Sequence, residues 1–180
     1  YFNQAINAKP YLYEPWYFRA IGKYYLDDFA GAEADCTEAM NRNPYVVGVY
    51  ELRGLARIQQ EKFAGAVEDY TKALRFAPDN QNLWHNRTLC RIQQKDYAAA
   101  HADLDTMLTK WSRYARGYAM RADVYVQQKD TANAEKALEK HTGARALRAI
   151  LEEYMLDIMY QVPKDSNIGK VTITREYLEN

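Results

Sequence analysis

Residues 44–78 read PYVVGVYELRGLARIQQEKFAGAVEDYTKALRFAP, and this stretch decides the fold. It begins and ends on proline, Pro44 and Pro78, and Pro10 stands the same 34 residues further back. Two helical patterns lie between the prolines. Val49 to Gln60 is amphipathic, and Phe63 to Ala77 is rich in Ala, Glu, Lys and Leu, which are strong or adequate helix formers. Pro78 stops the second pattern, because proline has no N–H and biases the residue before it away from the α region.

Extending that 34-residue period along the chain aligns four columns. Trp16, Tyr50, Trp84 and Tyr118 fall together, as do Arg19, Arg53, Arg87 and Arg121. So do Ala32, Ala66, Ala100 and Ala134, preceded by Phe29, Phe63, Tyr97 and Thr131. A fixed period of roughly 20–50 residues marks stacked supersecondary units that bury a continuous core between neighbours. Each unit is predicted to be an antiparallel helix pair, with units starting near residues 13, 47, 81 and 115. A small residue, Ala20, Gly54, Thr88 or Ala122, lets the paired helices approach, the alanine column does the same from the other side, and the large aromatic fills the wedge.

This period and these residue types resemble the tetratricopeptide repeat from Tyr1 to about Ala134. The opening YFNQAINAKP resembles the second helix of an earlier repeat, with Ala5, Ile6 and Pro10 in register, so the chain is expected to start mid-repeat as part of something longer. The resemblance implies an all-α fold, a right-handed superhelix of a half repeat and four helix pairs. It also implies a concave face, lined by the first helices, that binds a peptide or protein partner. On that geometry the inward residues are Tyr17, Ile21 and Tyr24, then Glu51, Leu55 and Ile58, then His85, Leu89 and Ile92, then Ala119 and Asp123. A Lys/Asn/Arg clamp for terminal carboxylates, used by some family members, is absent from these positions, which favours an apolar or mixed peptide. Packing between repeats is the competing role for Ile21, Leu55 and Leu89.

A further column repeats at the same period: Asp35, Asp69 and Asp103, each sixteen residues after the shared arginine. Ion pairs Arg19–Asp35, Arg53–Asp69 and Arg87–Asp103 are expected between the two helices of each unit, as structural contacts; two solvated columns of charge are the alternative.

The fourth unit starts in register with Tyr118, Arg121, Ala122, Tyr125 and Ala134. Then the aspartate position holds Ala137, and the late small-residue and proline positions hold His141 and Ala146. Leu147, Ile150, Leu151, Tyr154, Met155, Ile158 and Met159 then recur at three- and four-residue steps, predicting an amphipathic helix from Ala144 to Tyr160 with Thr142 as N-cap and Pro163 as its end. Lys170 to Asn180 begins with the alternation of a short strand. HTGARALRAILEEYMLDIMYQVP followed by NIGKVTITREYLEN closely resembles the C-terminal end of the ClpX unfoldases, AAA+ ATPases that deliver substrates to the ClpP peptidase. Under that resemblance TGARALR matches the sensor-2 motif, and Arg145 matches the arginine that reaches bound nucleotide. The chain is therefore expected to hold two modules, 1–138 and 139–180, joined near Asn133 to Leu138; evolution, engineering and an assembly error are the alternatives for the junction, with an artificial fusion the favoured one. The last helix is expected to cap the repeat array, with self-association as the alternative.

Composition narrows the function classes. The 180 residues carry 24 basic and 24 acidic side chains, which removes the electrostatic footprint of a nucleic-acid binder. No apolar run reaches the roughly 18 residues of a membrane helix. With 8 Gly and 5 Pro the chain is too poor in turn residues for a loop-rich β fold, whereas its 16 Tyr exceed expectation. Cys36 and Cys90 are expected as buried thiols. His85, His101 and His141 lack metal-ligand spacing, so no metal and no other cofactor is expected. There is no G-x-x-x-x-G-K-[ST] phosphate loop, without which a lone sensor arginine has nothing to sense. Neighbouring carboxylates such as Asp27–Asp28 and Glu152–Glu153 do not face each other on a helix. No catalytic constellation is present, and a non-enzymatic binding protein is the expected function.

Overall fold

A computed structural model of the chain describes residues 1–130 and 132–138, and every regular element among them is helical. The elements are α1 (Phe2–Ala8), α2 (Glu14–Tyr25), α3 (Phe29–Arg42), α4 (Val47–Gln59), α5 (Phe63–Phe76), α6 (Gln81–Gln93), α7 (Tyr97–Lys110) and α8 (Ala115–Gln127). A further helical segment covers 132–138. These elements belong to the first of the chain's two units, Tyr1–His141; the second, Thr142–Asn180, lies outside the described residues. So do Arg145, the expected helix from Ala144 to Tyr160 and the expected strand from Lys170.

Each helix packs on the next in chain order, and the first helices also touch across repeats, α2 with α4 and α6 with α8. The turns inside the pairs are built alike. Asp27, Glu61, Lys95 and Lys129 all have positive φ, between 58° and 62°, one per repeat. In each, the N–H of that residue and of its successor bond back to carbonyls three and five residues earlier, as in Lys95 to Ile92 and Asp96 to Arg91. This is the Schellman ending, which reverses the chain tightly and usually recruits glycine for its left-handed residue. The helix that follows is capped by Asp28, Asp96 or Asp130, whose carboxylates accept from the backbone N–H of Gly31, Ala99 and Asn133. At the same place the second repeat carries Lys62, with no side-chain cap.

The core is a set of size-matched columns. Gly54 faces Tyr70 and Ala20 packs in one cluster with Cys36; Thr88 and Leu104, and Ala122 and Leu138, at the matching positions of the next two repeats, are buried as well. The largest partner meets the smallest: a Cβ on Gly54 would stand 2.7 Å from Cζ of Tyr70. Ala32, Ala66 and Ala100 have no exposed surface. Each fully buried leucine, Leu83 and Leu104 among them, contributes about 1.5–3 kcal/mol. The wedge aromatics also tie the incoming loop. Tyr50 Oη donates to the Pro44 carbonyl at 2.8 Å, Trp84 Nε1 to Pro78 at 2.8 Å, and Tyr118 Oη to Ser112 at 3.1 Å. The first repeat differs: Arg42 takes the Pro10 carbonyl and lays its guanidinium 4.4 Å from the Trp16 ring, leaving Trp16 Nε1 buried without a partner.

Candidate functional site

The first helices carry two sets of side chains that bear on function. The first set lies between the helices. Arg19 Nη2 meets Asp35 Oδ1 at 2.6 Å, Arg53 meets Asp69 at 2.6 Å, and Arg87 meets Asp103 at 2.6 Å. The three aspartates are 3%, 0% and 3% exposed, so these are not solvated columns. A second cation one turn later on the same helix shares each carboxylate: Lys23 at 3.0 Å, Arg57 at 2.9 Å and Arg91 at 2.7 Å. That cation also donates to the first turn of the partner helix, at the carbonyls of Gly31, Gly65 and Ala99.

The shared arginine reaches backward as well. Arg19 Nη1 donates to Asn3, Arg53 Nη1 to Thr37, and Arg87 Nη1 to Thr71, each sixteen residues earlier. One guanidinium therefore joins three helices, its own and the second helices of its own and the preceding repeat. Sequence reasoning missed this backward reach and the second cation, although Lys23, Arg57 and Arg91 themselves recur every 34 residues. Glu33 fastens the first repeat to the second by accepting from Arg57 at 2.8 Å, Gln60 at 3.0 Å and Lys62 at 2.8 Å. Burial pushes the Glu33 carboxyl up, but the donations from Lys62, Arg57 and Gln60 outweigh it and hold it at about 2.

The second set is the one expected on the concave face, and part of it packs inward: Tyr17, Ile21 and Tyr24 lie against the core that holds Ala20 and Cys36, with the Tyr24 ring 5.5 Å from Phe29, and Ile58 lies against the core around Tyr70. Tyr17, Ile21 and Tyr24 on α2, and Glu51, Leu55 and Ile58 on α4, are half-buried. Leu89 on α6 is 37% exposed. Ala119 and Asp123 on α8 are half-buried, and Asp123 accepts from Gln127 at 3.0 Å. Ile92 departs from the expected face. It is 3% exposed and packs with Ala100, Leu104, Met120 and Val124, so it belongs to the core between the third and fourth repeats and presents nothing to a partner.

His85 on α6, expected on the concave face, is half-buried and lies 3.0 Å from the Tyr114 hydroxyl; burial and then Arg116 push its imidazole below the ordinary range, favouring the neutral ring. His101 lies outside the face on α7, bonded to Gln128 at 3.0 Å and against the Tyr125 ring. No group of three or more metal-ligating side chains is assembled among the described residues. Cys36 and Cys90 are buried free thiols pushed up to about 12, which keeps them protonated and unreactive. Among the described residues no helix is long and apolar enough to cross a membrane.

The comparisons with known proteins agree with this construction. The sequence profile of the tetratricopeptide repeat matches residues 47–80 and 115–145. A crystal structure of MamA superposes with a TM-score of 0.73 at 12% identity, over 86% of this chain and 87% of that one. MamA residues 41 to the end from Desulfovibrio magneticus RS-1 gives 0.71 at 12% identity, over 77% and 78%. YrrB, described as a TPR protein with an unusual peptide-binding site, gives 0.64 at 15% identity, over 81% and 76%. The fold is thus an all-α tetratricopeptide-repeat array. A different likeness covers 47 residues, 26% of this chain, at 47% identity to the ATP-binding subunit ClpX of Borrelia duttonii and of Borrelia recurrentis. The chain spans only 11% of those ClpX subunits.

Proposed function

We propose that this chain is a non-enzymatic scaffold whose first-helix face, on α2, α4, α6 and α8, binds a segment of another protein. The observation that carries the reading is the division of labour on the first helices. Their cations and the buried aspartates are committed to holding the array together, while the other side presents Tyr17, Tyr24, Leu55 and Leu89 at least partly open to solvent. Aromatic and aliphatic side chains held on rigid helices supply contact area at low cost in lost freedom, which is what recognition of a peptide requires. The description of YrrB as a protein with a peptide-binding site supports the same use of this fold.

The test is selection from a phage-displayed library of random dodecapeptides. The chain is expected to enrich a recurrent peptide, and Leu55→Asp with Leu89→Asp to abolish its binding without lowering the melting temperature. Failure to enrich any peptide, or binding indifferent to those changes, removes the reading.

A second reading rests on the ClpX likeness. A module of ClpX ancestry at 139–180, joined to the repeat array, would make the chain an adaptor that brings cargo to a AAA+ protease, with Arg145 a vestige of a nucleotide sensor. Co-sedimentation with purified ClpX hexamers that is lost on deleting 142–180 supports it. Absence of co-sedimentation at micromolar concentrations of both components rejects it.

A further inference from the structure

We propose that the first-helix face carries a cation-binding subsite centred on Glu51, which takes a lysine or arginine side chain of the bound peptide. This deepens the peptide-binding reading above and rests on it.

Glu51 is isolated by design of its own helix. Gly48 and Gly54 lie three residues before it and three after it on α4, so the α4 side chains nearest to it along the helix surface are the apolar Val47 and Leu55. Tyrosines from other helices fill the two gaps. The Tyr17 hydroxyl lies 2.6 Å from where a Cβ on Gly48 would stand, and the Tyr70 ring lies 2.7 Å from the Cβ position of Gly54. Tyr70 has no exposed surface, yet its hydroxyl has no hydrogen-bond partner. It ends near enough to Glu51 and Tyr24 to feel both. Glu51 thus stands on α4 between two glycines whose gaps are filled by tyrosines, one of them with an orphaned hydroxyl.

Among the described residues Glu51 makes no ion pair. Arg19, Lys23, Arg53, Arg57, Arg87 and Arg91, the cations that repeat along the first helices, are turned to Asp35, Asp69 and Asp103 on the other side. Burial alone pushes the Glu51 carboxyl up, and burial, with the Glu51 charge among the lesser causes, pushes the Tyr17 phenol up. One turn before Tyr17, Oε2 of Glu14 is another buried oxygen without a partner. A half-buried carboxylate is costly to hold without donors. An ammonium or guanidinium supplies the missing donors and the missing charge; an acidic or purely apolar segment supplies neither. Elsewhere in this protein half-buried Glu33 shows the rule, since three donors converge on it.

The experiment uses the dodecapeptide library, followed by fluorescence anisotropy with the best peptide selected. Peptides selected by the natural chain are expected to share a lysine or arginine at one register. Glu51→Gln is expected to weaken that peptide about tenfold or more, and to leave unchanged the weaker binding of the same peptide with glutamine in place of its basic residue. The unliganded E51Q chain is expected to melt no lower than the natural one, because the substitution removes an unanswered charge. Selected peptides without a shared basic residue, or equal binding by the two chains, overturn the subsite while leaving the peptide-binding reading intact. Failure to select any peptide overturns both.

Discussion

Arg121 pairs with Asp105, which stands sixteen residues behind it, while Arg19, Arg53 and Arg87 pair with aspartates sixteen residues ahead. The reversal follows from two changes in the repeat. Ala137 occupies the place of the forward aspartate, and Asp105 occupies the backward place that Asn3, Thr37 and Thr71 hold in the other repeats. The arginine keeps a counter-ion, but Arg121 Nε is left buried without a partner. The pair also changes character, since Asp105 is exposed whereas Asp69 is fully buried between Arg53 and Arg57.

That contrast sets the first prediction. Asp69→Asn leaves Arg53 buried without its charge partner, removes one of the two carboxylates that Arg57 shares with Glu33, and is expected to cost about 3–5 kcal/mol. Asp105→Asn, at a solvent-exposed pair, is expected to cost about 0–1 kcal/mol. Urea unfolding followed by circular dichroism compares them. Equal losses would mean that the buried aspartate column has no special part in holding the helix pairs.

The Gly54–Tyr70 match gives the second. Alanine is normally favoured over glycine in a helix by about 1 kcal/mol. Gly54→Ala is nevertheless expected to destabilise, because its Cβ has no room beside the Tyr70 ring. Tyr70→Leu makes the pair resemble Thr88 with Leu104, so G54A is expected to become neutral or stabilising in a Y70L background. The coupling in that double-mutant cycle is the quantity to measure, and additive effects would refute the steric account.

The sequence makes the array legible because each repeat faces the same packing problem, so the solution recurs in register. Prolines, alanines, wedge aromatics and the Arg–Asp spacing all follow from it. Contacts between repeats were harder to read, because they change chemistry from one junction to the next. The position of Glu33 is taken by Val67 and then by His101, which meets Gln128 and the Tyr125 ring rather than arginine and lysine. Ile92 was misplaced for a related reason. Family geometry assigns its position to the open face, but here Met120 and Val124 of the next repeat close over it. The left-handed turn residues carried no glycine to mark them.

Glu33 gives a third prediction, in pH. Its carboxyl is lowered from about 4.5 to about 2, so its contribution to stability is complete above about 4.5 and is lost as pH falls towards 2. Glu33→Gln is expected to flatten the stability profile in that window and to lower stability at neutral pH by about 1–2 kcal/mol, since Lys62 is half exposed and screened by solvent. Unfolding midpoints at pH 2.5, 3.5, 4.5 and 7 for both chains decide it. Parallel profiles would show that the clamp between the first two repeats contributes nothing to acid sensitivity.

The four left-handed turns give the last. A residue with a side chain is strained in that conformation by about 1–2 kcal/mol, because Cβ crowds the following carbonyl. Glycine has no such strain, but it also gives the unfolded chain more freedom, which offsets about 0.5–1 kcal/mol of the gain. Lys95→Gly is therefore expected to raise stability by about 0.5–1 kcal/mol. Lys95 and Lys129 make no cross-repeat ion pair among the contacts described, so relief of strain acts alone there. Lys95→Val should lower stability, because a β-branched side chain is the worst fit to positive φ. The order Gly, Lys, Val in midpoint urea concentration would place the strain in the turn itself. If Gly and Val destabilised alike, the lysine side chain rather than the backbone would be what holds the third repeat's turn.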